Sequence, residues 1–127
     1  MWTWVIENQV EGKMQVTDFF SMYRISQSCL DPEVLKQGIK VVHIACLYFY
    51  GFSKNTIKDI GLLCCHIAKD ELQADSFSVE QVMDNTEQTF INELGFCWGD
   101  SPLYYYLLNW SAGKERVQPN NIGIILN

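Results

Sequence analysis

The chain has 127 residues and a formal net charge of −6; 48% of its residues are apolar and 19% are charged. That length accommodates one domain with a real core, and that apolar share excludes a disordered chain. The acidic balance, without any cluster of Lys or Arg, excludes the phosphate-neutralising surface of a nucleic-acid binder and argues against attraction to an anionic membrane.

In chain order, residues 1–13 read as an N-terminal strap or helix carrying Trp2, Trp4, Val5 and Ile6, broken by Gly12. Met1-Trp2-Thr3-Trp4 has no basic start, so no leader peptide is expected. From Met14 to Ser28, the positions Met14, Val16, Phe19, Phe20, Met22, Tyr23 and Ile25 form a broad face at helical spacing. Asp31-Pro32-Glu33 is a helix start: an N-cap, a proline suited to the first helical position, and an acid at the positive end. The helix expected from Pro32 to about Tyr50 is apolar nearly all round after Lys40, as a buried central helix is, and Gly51 ends it. The stretch Val41 to Phe52 contains His43 and is too short to span a bilayer.

Asn55 or Thr56 caps the next expected helix, with apolar positions Ile57, Ile60, Leu63, Cys64, Ile67 and Ala68. Ser78 and Gln81 have capping-box spacing ahead of Val82, Met83, Phe90, Ile91 and Leu94, and Gly95 stops that helix. Ser101-Pro102 opens a last one, Leu103 to Trp110, before a polar tail over 111–127. The reading is an all-α bundle of about five helices around a central apolar one, with a single box over 14–110.

These residues resemble a cyclin box, in a divergent single-box form. Asp31-Pro32-Glu33 matches the family's second-helix start. Ile67-Ala68-Lys69-Asp70-Glu71 is similar to its Ala-x-Lys-x-Glu helix end, with Ile-Ala where the family has Ala-Ser before the Lys. Thr86-Glu87, Leu94-Gly95-Phe96 and Ser101-Pro102-Leu103 resemble its fifth-helix and following segments, and Asp18-Phe19 its Asp-Trp patch end. The resemblance implies a regulatory subunit, not an enzyme, which binds and positions or activates a cyclin-dependent-type protein kinase. Its contacts would be Lys69, Glu71, Glu87, Ile91, Phe96 and Trp98. The alternative is a cyclin-fold adaptor without kinase binding, using Trp2, Trp4 and Tyr104.

Other chemistry finds less support in the residues. His43, Cys46, Cys64, Cys65 and His66 lack a paired Cys-x-x-Cys, so no metal is expected. A Cys64 nucleophile with His66 or His43 lacks a glycine elbow or a helix start to activate it. Isolated glycines form no phosphate loop, and no cofactor is expected. The five cysteines, odd in number, point to a reducing compartment, nuclear or cytoplasmic.

Overall fold

A computed structural model describes residues 1–99, 104, 106, 108–109, 111, 113 and 117–123. The chain divides into two compact units, Met1–Glu80 and Gln81–Asn127. The first is built on a four-stranded sheet, so the expected all-α bundle is corrected to a mixed α/β fold.

Strand β1 (Trp2–Val10) and strand β2 (Lys13–Ser28) form an antiparallel hairpin. Its turn is Glu11-Gly12, with φ of 50° and 80°. Two successive positive φ values are what a tight hairpin turn needs, and Gly12 supplies one without strain. Gly12 therefore joins two strands, where the sequence reading had it interrupt a strap ahead of a helix. The face drawn from Met14 to Ile25 is a strand whose apolar residues point alternately to both sides.

Helix α1 is only Pro32–Lys36. Asp31 caps it as expected, its side chain accepting from Glu33 N at 2.8 Å. Gly38, with φ of 86°, then turns the chain. Strand β3 (Val41–Gly51) runs antiparallel to β2 and occupies most of the expected central helix. A strand packed on both faces shows the same unbroken apolar run as a buried helix, and its Val, Ile, Tyr and Phe residues suit the sheet.

Helix α2 (Ile57–Asp70) stands where a helix was expected. Thr56 and Asp59 form a capping box: Asp59 N donates to Thr56 Oγ1, and Thr56 N donates to the Asp59 carboxylate. Strand β4 (Ser76–Ser78) lies parallel to β3, so the sheet order is β1-β2-β3-β4. The stripe Ile60, Gly61, Cys64, Ile67 and Ala68 is buried. It covers the sheet face that carries Phe20, Met22, Ala45 and Leu47, all almost fully inaccessible. Two bonds fix the end of α2 to that face: Arg24 Nη1 donates to Leu72 O at 2.7 Å, and Trp4 Nε1 to Glu71 Oε2 at 3.3 Å. Trp4 also stacks on Phe20, with ring centroids 5.5 Å apart.

In the second unit, the expected long helix is a π-helical stretch, Gln88–Glu93, followed by a short 3-10 turn at Pro119–Asn121. Phe90 is buried there and meets Phe96 edge-on at 5.3 Å. Most of the helix expected over Leu103 to Trp110 lies outside the described residues. Among the described residues, no helix is long and apolar enough to cross a membrane.

Candidate functional site

The sheet face turned away from α2 concentrates the chemistry. Thr3, Val5, Phe19, Ser21, Tyr23 and Cys46 fall on it by strand alternation and cross-strand pairing. Val5 and Phe19 are 57% and 40% exposed, whereas Ser21 and Cys46 are buried at 6% and 5%. The face is thus open at its β1 end and closed around Cys46.

A β-bulge shapes its centre. Phe20 pairs with Tyr50 and Met22 with Leu47, so Ser21 alone opposes both Tyr48 and Phe49. Such a bulge bends the strand and re-aims side chains, as is frequent beside functional sites. Here Tyr48 meets Tyr23 edge-on, with centroids 5.8 Å apart and planes at 85°. Ser21 Oγ and Thr3 Oγ1 lie 2.9 Å apart in a hydrogen bond across β1 and β2.

Tyr23 and Cys46 are cross-strand partners. The Tyr23 hydroxyl oxygen is buried and has no partner in hydrogen-bonding geometry among the described residues, although the Cys46 thiol is close enough to affect its acidity. Burial, then Cys46 and the charge of Glu80, push the Tyr23 hydroxyl well above its usual range. Burial also pushes the Cys46 thiol up; the Tyr23 hydroxyl pulls the other way, and Glu80 adds to the rise. Both groups therefore stay protonated. A protonated, buried tyrosine hydroxyl has one O–H to donate, and here the Cys46 thiol is the polar group that acts on it.

Asp18, on the α2-facing side of β2, organises the neighbouring loop. Its Oδ1 accepts from the backbone N–H of Ser53, Lys54 and Asn55 at 2.7, 3.0 and 3.2 Å. Its Oδ2 accepts from Thr17 Oγ1 at 2.6 Å and Asn55 Nδ2 at 2.8 Å. Burial alone would raise this carboxyl, but the Thr17 hydroxyl and the three backbone donors outweigh it and hold it far below the usual range. Asp18 is a loop anchor, where the sequence resemblance had made Asp18-Phe19 the end of a docking patch.

The expected partner-binding residues divide between the two units. Lys69 lies in the last turn of α2 and is exposed, and Glu71 caps that helix. Glu87 caps the π-helical stretch, which carries Ile91; Phe96 is half-buried and Trp98 is 60% exposed. His43 and Cys46, expected on one helix face, lie on opposite faces of β3. Ser26 Oγ and His43 Nδ1 are 2.8 Å apart, and Asp75 Oδ2 accepts from the His43 backbone N–H. Among the described residues, no group of three or more His, Cys, Asp or Glu is placed to hold a metal ion.

Sequence reasoning missed Ser21, Tyr23 and Cys46 as a group. Tyr23 and Cys46 were assigned to two different helices, and only strand pairing brings them together.

A family model described as "Myristoyl-CoA:protein N-myristoyltransferase, C-terminal domain" matches residues 1–125. The chain is 30% identical over 126 residues to a probable glycylpeptide N-tetradecanoyltransferase of Caenorhabditis elegans, covering 99% of this chain and 25% of that relative. It is 30% identical over 128 residues to the glycylpeptide N-tetradecanoyltransferase of Schizosaccharomyces pombe, covering 90% of this chain and 26% of the relative. It is 30% identical over 125 residues to glycylpeptide N-tetradecanoyltransferase 2 of Bos taurus, covering 98% and 22%. The chain thus spans about a quarter of the length of these relatives. These likenesses overturn the cyclin-box reading and, with it, the kinase partner and the adaptor alternative. They also overturn the expectation of a non-enzyme, since the relatives are named as acyltransferases.

Proposed function

We propose, from the premise that this chain belongs to the family of the myristoyl-CoA:protein N-myristoyltransferase C-terminal domain, that it builds the acceptor-peptide side of an acyltransferase. In this reading a peptide presents its N-terminal glycine amine to the thioester of myristoyl-CoA. The amine nitrogen attacks the thioester carbonyl carbon and the carbon–sulfur bond breaks. An amide forms, and the CoA thiolate takes up the proton that the nitrogen sheds.

The match over residues 1–125 carries the reading, and the chemistry of the site supports it. A relay through an acylated cysteine would need a thiolate. Burial pushes the Cys64 thiol up to about 12 and raises Cys46 and Cys65 as well. These thiols are poor nucleophiles, which fits direct attack by the substrate amine. The face opposite α2 has the make-up of a ligand site: apolar and aromatic side chains with a few polar atoms, Ser21 Oγ, Thr3 Oγ1 and Tyr23 Oη. The Tyr23 hydroxyl, held protonated, would donate to a peptide carbonyl. Such chemistry belongs in the reducing interior of a cell, nuclear or cytoplasmic, where unpaired thiols persist; the five cysteines here are all unpaired.

Calorimetric titration with a short peptide beginning with glycine tests this. Saturable binding is expected, weakened about fivefold by Tyr23→Phe, roughly the value of one neutral hydrogen bond. Circular dichroism should be unchanged in the variant. Absence of binding, or equal affinity in Tyr23→Phe, overturns the acceptor-face reading.

A further inference from the structure

Strand β2 is longer than the part of it that β3 supports. Pairing with β3 begins at Phe19, opposite Gly51, where β3 ends. Before Phe19 the hairpin is a ribbon of two strands, with Glu7–Val10 of β1 paired to Lys13–Val16 of β2. A two-stranded ribbon is marginal in water unless something covers one of its sides. Its base is held firmly. Asp18 gathers the N–H groups of Ser53, Lys54 and Asn55, and the Thr17 carbonyl accepts from Ser53 Oγ at 2.9 Å. At the same point the register shifts between Ile6 and Glu7, which leaves Thr17 as an extra residue in β2. A bulge of this kind bends the strands and increases their twist. Among the described residues, no hydrogen bond or ion pair joins the ribbon beyond Thr17 to β3, α1, α2 or β4.

The two sides of the ribbon differ. Alternation from Val5 puts Glu7 and Gln9 on the acceptor side, and pairing puts Val16 and Met14 beside them. Met14 and Val16 are 63% and 57% exposed. With Val5 and Phe19 they form a row of apolar side chains from the open end of the acceptor face toward the hairpin turn. Lys13 and Gln15, also exposed, point the other way. In β2 the ribbon thus turns apolar residues to the acceptor side and polar ones away from it, the pattern of strands covered on one side. A peptide lying on Val5 and Phe19 meets this row without leaving the apolar surface. An extended peptide also repeats at about 3.3 Å per residue, as the strand does.

We propose that the free end of the hairpin, Glu7–Val16, is an arm that bends at Thr17 and packs Met14 and Val16 onto the bound acceptor peptide. The inference rests on the acceptor-face reading above. It adds a second contact region, completed when the peptide arrives, with the fixed Asp18 base as its hinge point.

Amide hydrogen exchange and titration calorimetry test it together, on the whole chain with a short peptide beginning with glycine. In the free chain, amides of residues 9–16 should exchange faster than those at the centre of β2. Bound peptide should slow exchange over residues 9–16 by about tenfold. The double variant Met14→Thr/Val16→Thr keeps a strand-forming residue at both positions and removes most of the apolar area. It should bind the peptide about tenfold more weakly, the order expected when two half-exposed apolar side chains become covered. Its unfolding midpoint should match the wild type. Exchange over residues 9–16 that is unaffected by bound peptide, or full affinity in the double variant, overturns the arm. If that happens while Tyr23→Phe still weakens binding, the acceptor face stands without the arm. If no peptide binds, both readings fall together.

Discussion

Asp18 shows how much one residue can organise. Its five donors come from Thr17, Ser53, Lys54 and Asn55, and the Ser53–Asn55 segment leads directly into Thr56, the cap of α2. Asp18→Asn replaces one acceptor oxygen with a donor facing N–H groups, so a lower melting temperature is expected at pH 7. Because the folded-state value is depressed, the carboxylate's stabilisation is fully present above its unfolded value of 3.8 and is lost as pH falls below it. Asp59, whose carboxyl is lowered by the Thr56 hydroxyl and backbone N–H, acts in the same direction. Urea titrations at pH 7 and pH 3 should show a larger loss in the wild type than in Asp18→Asn. The thiols make the complementary case. Cys64, raised from 9.0 to about 12, contributes stability that is complete below pH 9 and lost as pH climbs toward 12. Alkylation at pH 8 followed by mass spectrometry should label the exposed Cys97 well before the buried Cys46 and Cys64.

Among the elements, α2 could be read from the sequence because its signals are local: a capping residue at Asn55 or Thr56, and an apolar stripe at helical period. Thr56→Ala should cost about 1 kcal/mol in denaturant unfolding, the usual value of an N-cap. The start of α1 was legible for the same reason, through Asp31 and Pro32. Strand β3 was not. Its residues from Val41 to Phe49 are apolar almost without interruption, and such a run has no period to separate strand from helix. In β2, Phe19, Phe20, Met22 and Tyr23 fit both a broad helical face and a strand with apolar residues on both sides. Gly12 was the available clue, since a glycine between two aromatic and β-branched runs is a hairpin signal. Gly12→Ala finds open space around the added carbon but keeps a φ of 80°, so about 1 kcal/mol of destabilisation is expected from backbone strain alone. The site was less legible than the fold, because Ser21 and Tyr23 on one side and Cys46 on the other become neighbours only through pairing between strands distant in the chain.

For the molecule as a whole, the first unit's core depends on the packing of α2 against one sheet face. Phe20, fully buried beneath Trp4, is its centre, and Phe20→Ala should cost about 3–5 kcal/mol in an unfolding titration. The order β1-β2-β3-β4 has a separate consequence. Strand β1 is the outermost of the described strands, nine residues long, without proline or lysine, and with Trp2 and Val5 substantially exposed. Its outward backbone amides and carbonyls form a template on which another strand could nucleate, and Glu7 is its single charged side chain to repel one. Purified at high concentration, the chain should therefore self-associate through this edge and scatter light. Gln9→Lys, a single charge on the exposed rim, should raise the concentration at which turbidity begins.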